Sequence, residues 1–315
     1  MPTLEQISAA RERISHHIHV TPVTTARLLG KETGITLFLK CENLQKTGSF
    51  KPRGALNKVS QLDEGARQRG VVTVSAGNHA QALAWAARVA NVRATVVMPL
   101  AASQAKADAS AGYGAEVIRH GTTFDAFEHA QSLAVERGLV FVHPFDDEDV
   151  MAGAGTTGLE ILEQTPDVDV VVVPVGGGGL IAGIAAAIKH LRPTVRVYGV
   201  EPAGAAAMRS SLDSGRAVRL EAVDTIADGL AAPMAGTLTY NVVRRFVDDV
   251  VLVSDDEIAA AVRALLLRTK LLAEPAGAAG FAAILSRRLP LRAGERVVAV
   301  VSGGNVDLAR LKALL

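Results

Sequence analysis

Along nearly the whole chain, short runs rich in Val and Ile alternate with longer, alanine-rich amphipathic stretches. Such alternation marks an α/β fold in which parallel strands are covered by helices. Strands are expected over 36–40, 71–74, 94–98, 116–118, 140–142, 168–174, 195–200, 250–253 and 297–301. Helices are expected over 4–14, 52–60, 79–89, 103–111, 124–136, 151–163, 180–190, 255–272, 275–285 and 306–314. Ser254 and Glu257 are spaced as a capping box at the start of the 255–272 helix. Nine strands exceed what one open sheet commonly carries, and they divide into two sets. Residues 70–142 read as a self-contained block of four strand–helix pairs, and the strands on either side of it join into a second sheet. The expected architecture is two open, twisted, mostly parallel sheets flanked by helices. A small domain, 68–142, is inserted into a large domain made of 1–67 and 143–315, with the ligand in the cleft between them.

Composition narrows the classes of function. The 315 residues suffice for one large or two ordinary domains, and with 49% hydrophobic but only 4% aromatic residues the core is mostly Ala, Val, Leu and Ile. The net charge is +1 and the charges interleave in sign, so no nucleic-acid or membrane partner is indicated. Apolar runs stop well short of the roughly 20 residues a membrane span needs, and Met1–Gln6 lacks the pattern of a signal peptide. The single cysteine, Cys41, excludes an internal disulfide framework and fits a reducing compartment, so a cytoplasmic location is expected. Cys41 lies in the apolar run 37–41 and reads as a buried small hydrophobe, not a nucleophile. His16, His17 and His19 have no Cys, Asp or Glu at metal-ligand spacing and read as a surface turn.

Four turns hold the chemistry. Lys51 sits in Thr47-Gly48-Ser49-Phe50-Lys51-Pro52-Arg53-Gly54, a polar turn that leads into a helix. Alone it would be an ordinary solvated surface charge. Gly176, Gly177, Gly178 and Gly179 follow a buried strand and open a helix, so their backbone is free to fold a nest of N–H donors over a phosphate. A rival reading takes Gly177-x-Gly179-x-x-Ala182 as a dinucleotide fingerprint, with Glu201 at the end of the next strand as the ribose-binding acid. Ser75-Ala76-Gly77-Asn78-His79 starts another helix, where Asn78 and the first-turn amides suit a carboxylate or a ring oxygen; simple helix capping by Ser75 or Asn78 is the alternative. Ser302-Gly303-Gly304-Asn305 repeats the grammar near the C-terminus, with capping again the alternative. An amine nucleophile, a phosphate nest and a hydroxyl at another helix start together suit pyridoxal phosphate held as a Schiff base on lysine.

These segments resemble the fold-type II pyridoxal-phosphate enzymes, most nearly the serine/threonine dehydratase family that includes eukaryotic serine racemase. The likeness runs in register from about Thr21 to Asn305, with four motifs in family order. It implies that Lys51 carries the cofactor imine and removes the substrate Cα proton. Phe50 would pack beside the pyridine ring, Asn78 would bond the ring 3′-oxygen, and Gly176 to Gly179 would hold the phosphate. Ser302 would meet the ring nitrogen, while Ser75, Asn78 and His79 would hold the substrate carboxylate. The small domain would close over the substrate. The implied reaction is an α,β-elimination that converts L-threonine, L-serine or a close β-hydroxy amino acid to a 2-oxo acid and ammonia. A neutral serine at the ring nitrogen weakens the electron sink and favours loss of the β-hydroxyl, with the cofactor phosphate as its proton source. Relatives are commonly dimers or tetramers, so a homodimer or homotetramer is expected.

Three departures refine the resemblance. Serine racemase has a second serine where this chain has Ala76, so a poor racemase is expected. Racemases of the family bind a divalent ion through a glutamate, a carbonyl and an aspartate; Glu201 and the Ala205 carbonyl match, but Ala207 stands in the aspartate position. The sequence ends about a dozen residues after Ser302, so the isoleucine-sensing domain of biosynthetic threonine dehydratases is not expected. Alternatives are a hydroxyaspartate or hydroxyectoine-pathway dehydratase, a non-catalytic amino-acid sensor, and an NAD-binding oxidoreductase.

Overall fold

The computed structural model describes all residues, 1–315. Ten strands form two sheets: β1 (Val23–Thr25), β2 (Thr36–Cys41), β3 (Val71–Val74), β4 (Ala94–Met98), β5 (Glu116–Arg119), β6 (Val140–Phe141), β7 (Val170–Pro174), β8 (Arg196–Pro202), β9 (Asp249–Val253) and β10 (Arg296–Val301). Six pair in the order β1-β2-β10-β7-β8-β9 and four in the order β5-β4-β3-β6. Every pairing is parallel except β1 with β2. The two sheets expected from the alternation are thus present.

The period of two along β7 explains how its valines serve both faces of the larger sheet. Val170 and Val172 join Phe281 and Ile284 of the Pro275–Leu285 helix, while Val171 and Val173 join Ile181 and Ile184 of the Gly179–Leu191 helix. Fully burying each such side chain contributes about 1.5–3 kcal/mol. Cys41 is buried in the first of these clusters, as its apolar run suggests.

Some boundaries differ from expectation. The smaller sheet has four strands but three helices of its own; the helix after β6, Glu148–Gln164, instead packs Ile161 and Ala154 into the larger sheet's core. Strand β1 and the helices Arg27–Thr33, Glu64–Arg69, Ala207–Ser214 and Thr237–Phe246 were not anticipated. Three of those helices, of 7, 6 and 8 residues, are shorter than the roughly 11 residues over which a helical periodicity can be read. The fourth gets its N-terminal partner from elsewhere, because Asp146 accepts from the amides of Thr237, Leu238 and Thr239. The 255–272 helix does start at the Ser254 capping box but ends at Ala264, passes through a π turn, and stops at Lys270 with φ of 63°. The C-terminal helix begins at Leu308, capped by Asp307, two residues later than expected.

The Lys51–Ser60 helix is anchored from inside. Arg53, fully buried, donates to Glu42 from Nε at 2.7 Å and from Nη2 at 2.8 Å, and to Glu160 from Nη1 at 2.6 Å and Nη2 at 2.9 Å. Lys40 completes the cluster with a 2.5 Å pair to Glu160. Burial opposes the charge on Glu42, yet the adjacent guanidinium holds its carboxyl below the ordinary range. Removing one partner of such a pair strands the other's charge. Arg53→Leu should therefore lower the unfolding free energy by about 3–5 kcal/mol in urea titration. A loss of under about 1 kcal/mol would mean that the cluster is not charged as described.

Candidate active site

The Lys51 and Ser302 turns are far apart in sequence but hydrogen-bonded together. The Phe50 amide donates to the Ser302 carbonyl at 3.0 Å, and the Gly304 amide donates to the Gly48 carbonyl at 2.9 Å. Ser49 and Gly303 face each other in an antiparallel bridge. Lys51 thus emerges at the start of its helix directly beside the end of β10.

The Lys51 side chain is half-buried, and its ammonium donates to the Pro144 carbonyl at 2.7 Å. No carboxylate pairs with it, so burial pushes its pKa down to about 8. A larger fraction of free amine results than an ordinary lysine has at neutral pH, which is what a nucleophile or base requires. The Phe50 ring lies 5.1 Å from the nitrogen. Thr47 Oγ1 and Ser49 Oγ, both buried in the same turn, have no partner within the chain. Buried polar atoms are normally satisfied, so these two point to a polar ligand.

At the glycine turn, Gly178 has φ of 93° and the Gly179–Leu191 helix begins with no side-chain cap, so its first amides are free for an anion. The Phe145 ring lies so close to Gly177 that any side chain there would collide with it. Thr239 donates from its hydroxyl to the Gly177 carbonyl at 2.8 Å, fixing the turn. The segment His143-Pro144-Phe145-Asp146 therefore touches the lysine, the glycine turn and the Thr237–Phe246 helix at once. Sequence reading passed over it. Its signal was a Pro- and Asp-rich link directly after a strand, the usual composition of a turn.

The third turn meets the first two through Asn78. Its Nδ2 donates to Glu274 Oε1 at 2.6 Å, and its Oδ1 accepts from Asn305 Nδ2 at 2.9 Å. Asn305 also donates to the Thr47 carbonyl at 2.6 Å, tying all three turns together. Neither capping alternative holds for the Asn78–Val89 helix, whose N-cap Gly77 offers no side chain; Ser75 Oγ instead accepts from the Gly77 amide at 3.1 Å. Ser302 does not cap a helix either, since the next one starts at Leu308. His79 is buried with its ring committed to the small sheet, Nε2 facing the Val142 carbonyl at 3.4 Å. Burial and then the nearby Lys51 charge hold its pKa well below the ordinary value, so the ring is neutral. What His79 offers an anion is its backbone amide at the helix start, not its imidazole.

Lys51, Phe50, Asn78 and Ser302 are thus brought together, with Gly177 joined to them through Phe145. An amine of lowered pKa, an uncapped helix N-terminus joined to it through Pro144 and Phe145, and unpartnered hydroxyls in its own turn are groups that could hold pyridoxal phosphate, Lys51 at the aldehyde and Gly176 to Gly179 at the phosphate. The chain matches the family described as pyridoxal-phosphate dependent enzyme over residues 14–303. It belongs to that family. It is 48% identical over 309 residues to the L-threonine ammonia-lyase of Thermotoga maritima, covering 98% of this chain and 77% of that protein. It is similar in structure to maize serine racemase, with a TM-score of 0.95, 38% identity, and coverage of 99% and 96% of the two chains. The processed form of threonine deaminase isoform 2 from Solanum lycopersicum has a TM-score of 0.94 and 37% identity, with coverage of 100% of this chain and 94% of that one. Membership in this family sets aside the dinucleotide reading. Glu201 is also unsuited to a ribose, because both its oxygens are engaged.

Those oxygens accept from the amides of Met208 and Arg209 at 2.7 and 2.8 Å. Burial, only partly offset by these amides, raises the Glu201 pKa to about 7. With both Glu201 oxygens accepting from amides and Ala206 and Ala207 offering no side-chain oxygen, the Glu201–Ala205 segment brings no second carboxylate to a divalent cation. Glu201 instead serves as a remote cap for the Ala207–Ser214 helix. The melting temperature should accordingly stay within about 1 °C on adding EDTA or millimolar Mg²⁺ or Mn²⁺, whereas a saturated site would add about 2.7 kcal/mol at a hundredfold excess over Kd. A saturable rise in melting temperature with either ion would contradict the assignment.

Proposed function

We propose that the protein is a pyridoxal-phosphate-dependent ammonia-lyase that dehydrates and deaminates L-threonine, L-serine or a close β-hydroxy amino acid. The observation that carries this reading is Lys51, an amine of depressed pKa linked through Pro144 and Phe145 to an uncapped, glycine-built helix N-terminus. When bound, the cofactor supplies an electron sink for negative charge at the substrate Cα.

The chain's own groups do the rest. The first-turn amides of Asn78 and His79, with the Ser75 hydroxyl, hold the substrate carboxylate and thereby orient the Cα–H bond. Lys51, once its amine is free, takes the Cα proton, and the Pro144 carbonyl lies where it can steady the resulting ammonium. The electron pair left at Cα expels the β-hydroxyl, which would leave as water on taking a proton from the cofactor phosphate, the source that the family resemblance implies. Hydrolysis of the released enamine gives ammonia and 2-oxobutanoate from threonine, or pyruvate from serine. Ser302 gives the ring nitrogen a neutral partner, which favours elimination over prolonged charge storage.

Racemisation would need a second acid on the face opposite Lys51. Ala76, at the position where racemases have a serine, has no proton to give. Residues 68–142, which contain the smaller sheet, are taken as a domain that closes over the substrate. The two-sheet unit is taken to act in the cytoplasm as a homodimer or homotetramer; its one buried thiol and lack of disulfides support the reducing compartment. Selectivity between threonine and serine depends on one methyl group, about 1–3 kcal/mol.

The test is 2-oxo acid release from a panel of β-hydroxy amino acids by native protein and Lys51→Ala. Native protein should release 2-oxobutanoate or pyruvate with equimolar ammonia, and the variant should be slower by on the order of a thousandfold or more. Consumption of no member of the panel, or undiminished turnover by the variant, would sink the proposal.

A further inference from the structure

Glu274 is a buried carboxyl to which the reaction above gives no task. It stands at the N-cap of the Pro275–Leu285 helix yet does not cap it. Its Oε1 accepts instead from Asn78 Nδ2 at 2.6 Å, while Asn305 holds the other end of that amide at 2.9 Å. Its backbone amide donates to the Gly303 carbonyl at 3.1 Å, so the carboxyl is fixed to the turn that carries Ser302. Gly303 leaves room for it, since any side chain there would meet Oε1. The charged groups facing it are Lys106, Asp228 and Arg310, from three different elements. Arg310 and Lys106 both pair with Asp228, at 2.7 and 3.4 Å, which leaves Glu274 no cation of its own. Burial accordingly raises its pKa to about 7.

We propose that Glu274 is a positioning residue that sets which end of the Asn78 amide faces the cofactor. The inference rests on the site being a pyridoxal-phosphate site with Asn78 at the ring. An ionised carboxylate can only accept, so it draws the NH₂ end of Asn78 towards itself. Asn305 keeps the carbonyl end, and one N–H remains for an acceptor oxygen on the ring. A protonated carboxyl can donate or accept, so the choice of end then rests on Asn305 alone, whose NH₂ is held by the Thr47 carbonyl. Glu274→Gln imitates that protonated form: it keeps the size, both donates and accepts, and never ionises.

Full-length apoprotein should be titrated with pyridoxal phosphate at about pH 6 and about pH 8.5, following visible absorption and cofactor Kd. Ionisation of the cofactor's phosphate affects native protein and variant alike and cancels in their ratio. At the lower pH the two should bind equally, within about twofold; at the higher pH Glu274→Gln should bind at least about threefold more weakly and show a different visible spectrum. In an Asn78→Ala background, Glu274→Gln should change neither quantity. Parallel profiles for native and Glu274→Gln, tighter binding by the variant at high pH, or an effect that persists without Asn78 would each overturn the role of Glu274 while leaving the cofactor assignment intact. Failure of native protein to bind the cofactor at all would overturn both.

Discussion

The Arg53 guanidinium, buried and spent on two carboxylates, is the contact on which the placement of the site depends. Glu42 follows β2, before the smaller sheet, and Glu160 lies in the helix that follows β6, after it. One side chain therefore clamps together the chain entering the smaller sheet and the chain leaving it. Because Arg53 is two residues from Lys51, the start of that helix has little freedom to shift or rotate. The cluster adds little net stability over an apolar replacement of equal volume, since desolvating four charged groups offsets their attraction. What it supplies is register: the amine is presented at one place relative to both sheets.

Around that fixed point the strands deliver the other groups by a simple rule. Ser75 follows β3, His143 follows β6, Gly176 follows β7 and Ser302 follows β10, each just beyond a carboxyl end. Parallel strands bring such ends to one edge of a sheet, and ligands of open α/β sheets bind there. The helices starting at Asn78 and Gly179 have no side-chain caps, so their partial positive charge and free amides are available to anions. Burial beside these turns depresses the Lys51 pKa. In the proposed site, phosphate and carboxylate binding and amine activation would share one cause, the packing of strand and helix ends around a buried amine.

Much of this was legible in the sequence. The valine-rich run 168–174, read as a buried strand from its length and β-branched residues, contains the strand Val170–Pro174, and Ser254 with Glu257 forms the capping box that its spacing indicates. Lys51, Asn78, Ser302 and the four glycines stand out in sequence because each lies in a polar or glycine-rich turn, most of them directly after a strand. Surface charge or helix capping would explain several of them equally well, and their proposed roles come from the four motifs taken together in family order. Residues without a local signature were missed. Glu274 precedes a proline, as any N-cap acid might, and its bond to Asn78 joins positions 196 residues apart, which no local pattern displays. Phe145 matters because Gly177 lacks a side chain, a relation between residues that one stretch of sequence cannot display. His79 was legible as a position, whereas the commitment of its ring to Val142 depends on where β6 ends.

The central claim is that a single amine, at residue 51, forms the covalent link to pyridoxal phosphate. It is tested most directly by reducing the cofactor-treated protein with borohydride and mapping the modified peptide by mass spectrometry. The account predicts loss of the visible absorption band and one phosphopyridoxyl group, on Lys51. A label on another lysine, or no label while the cofactor is demonstrably bound, would contradict it.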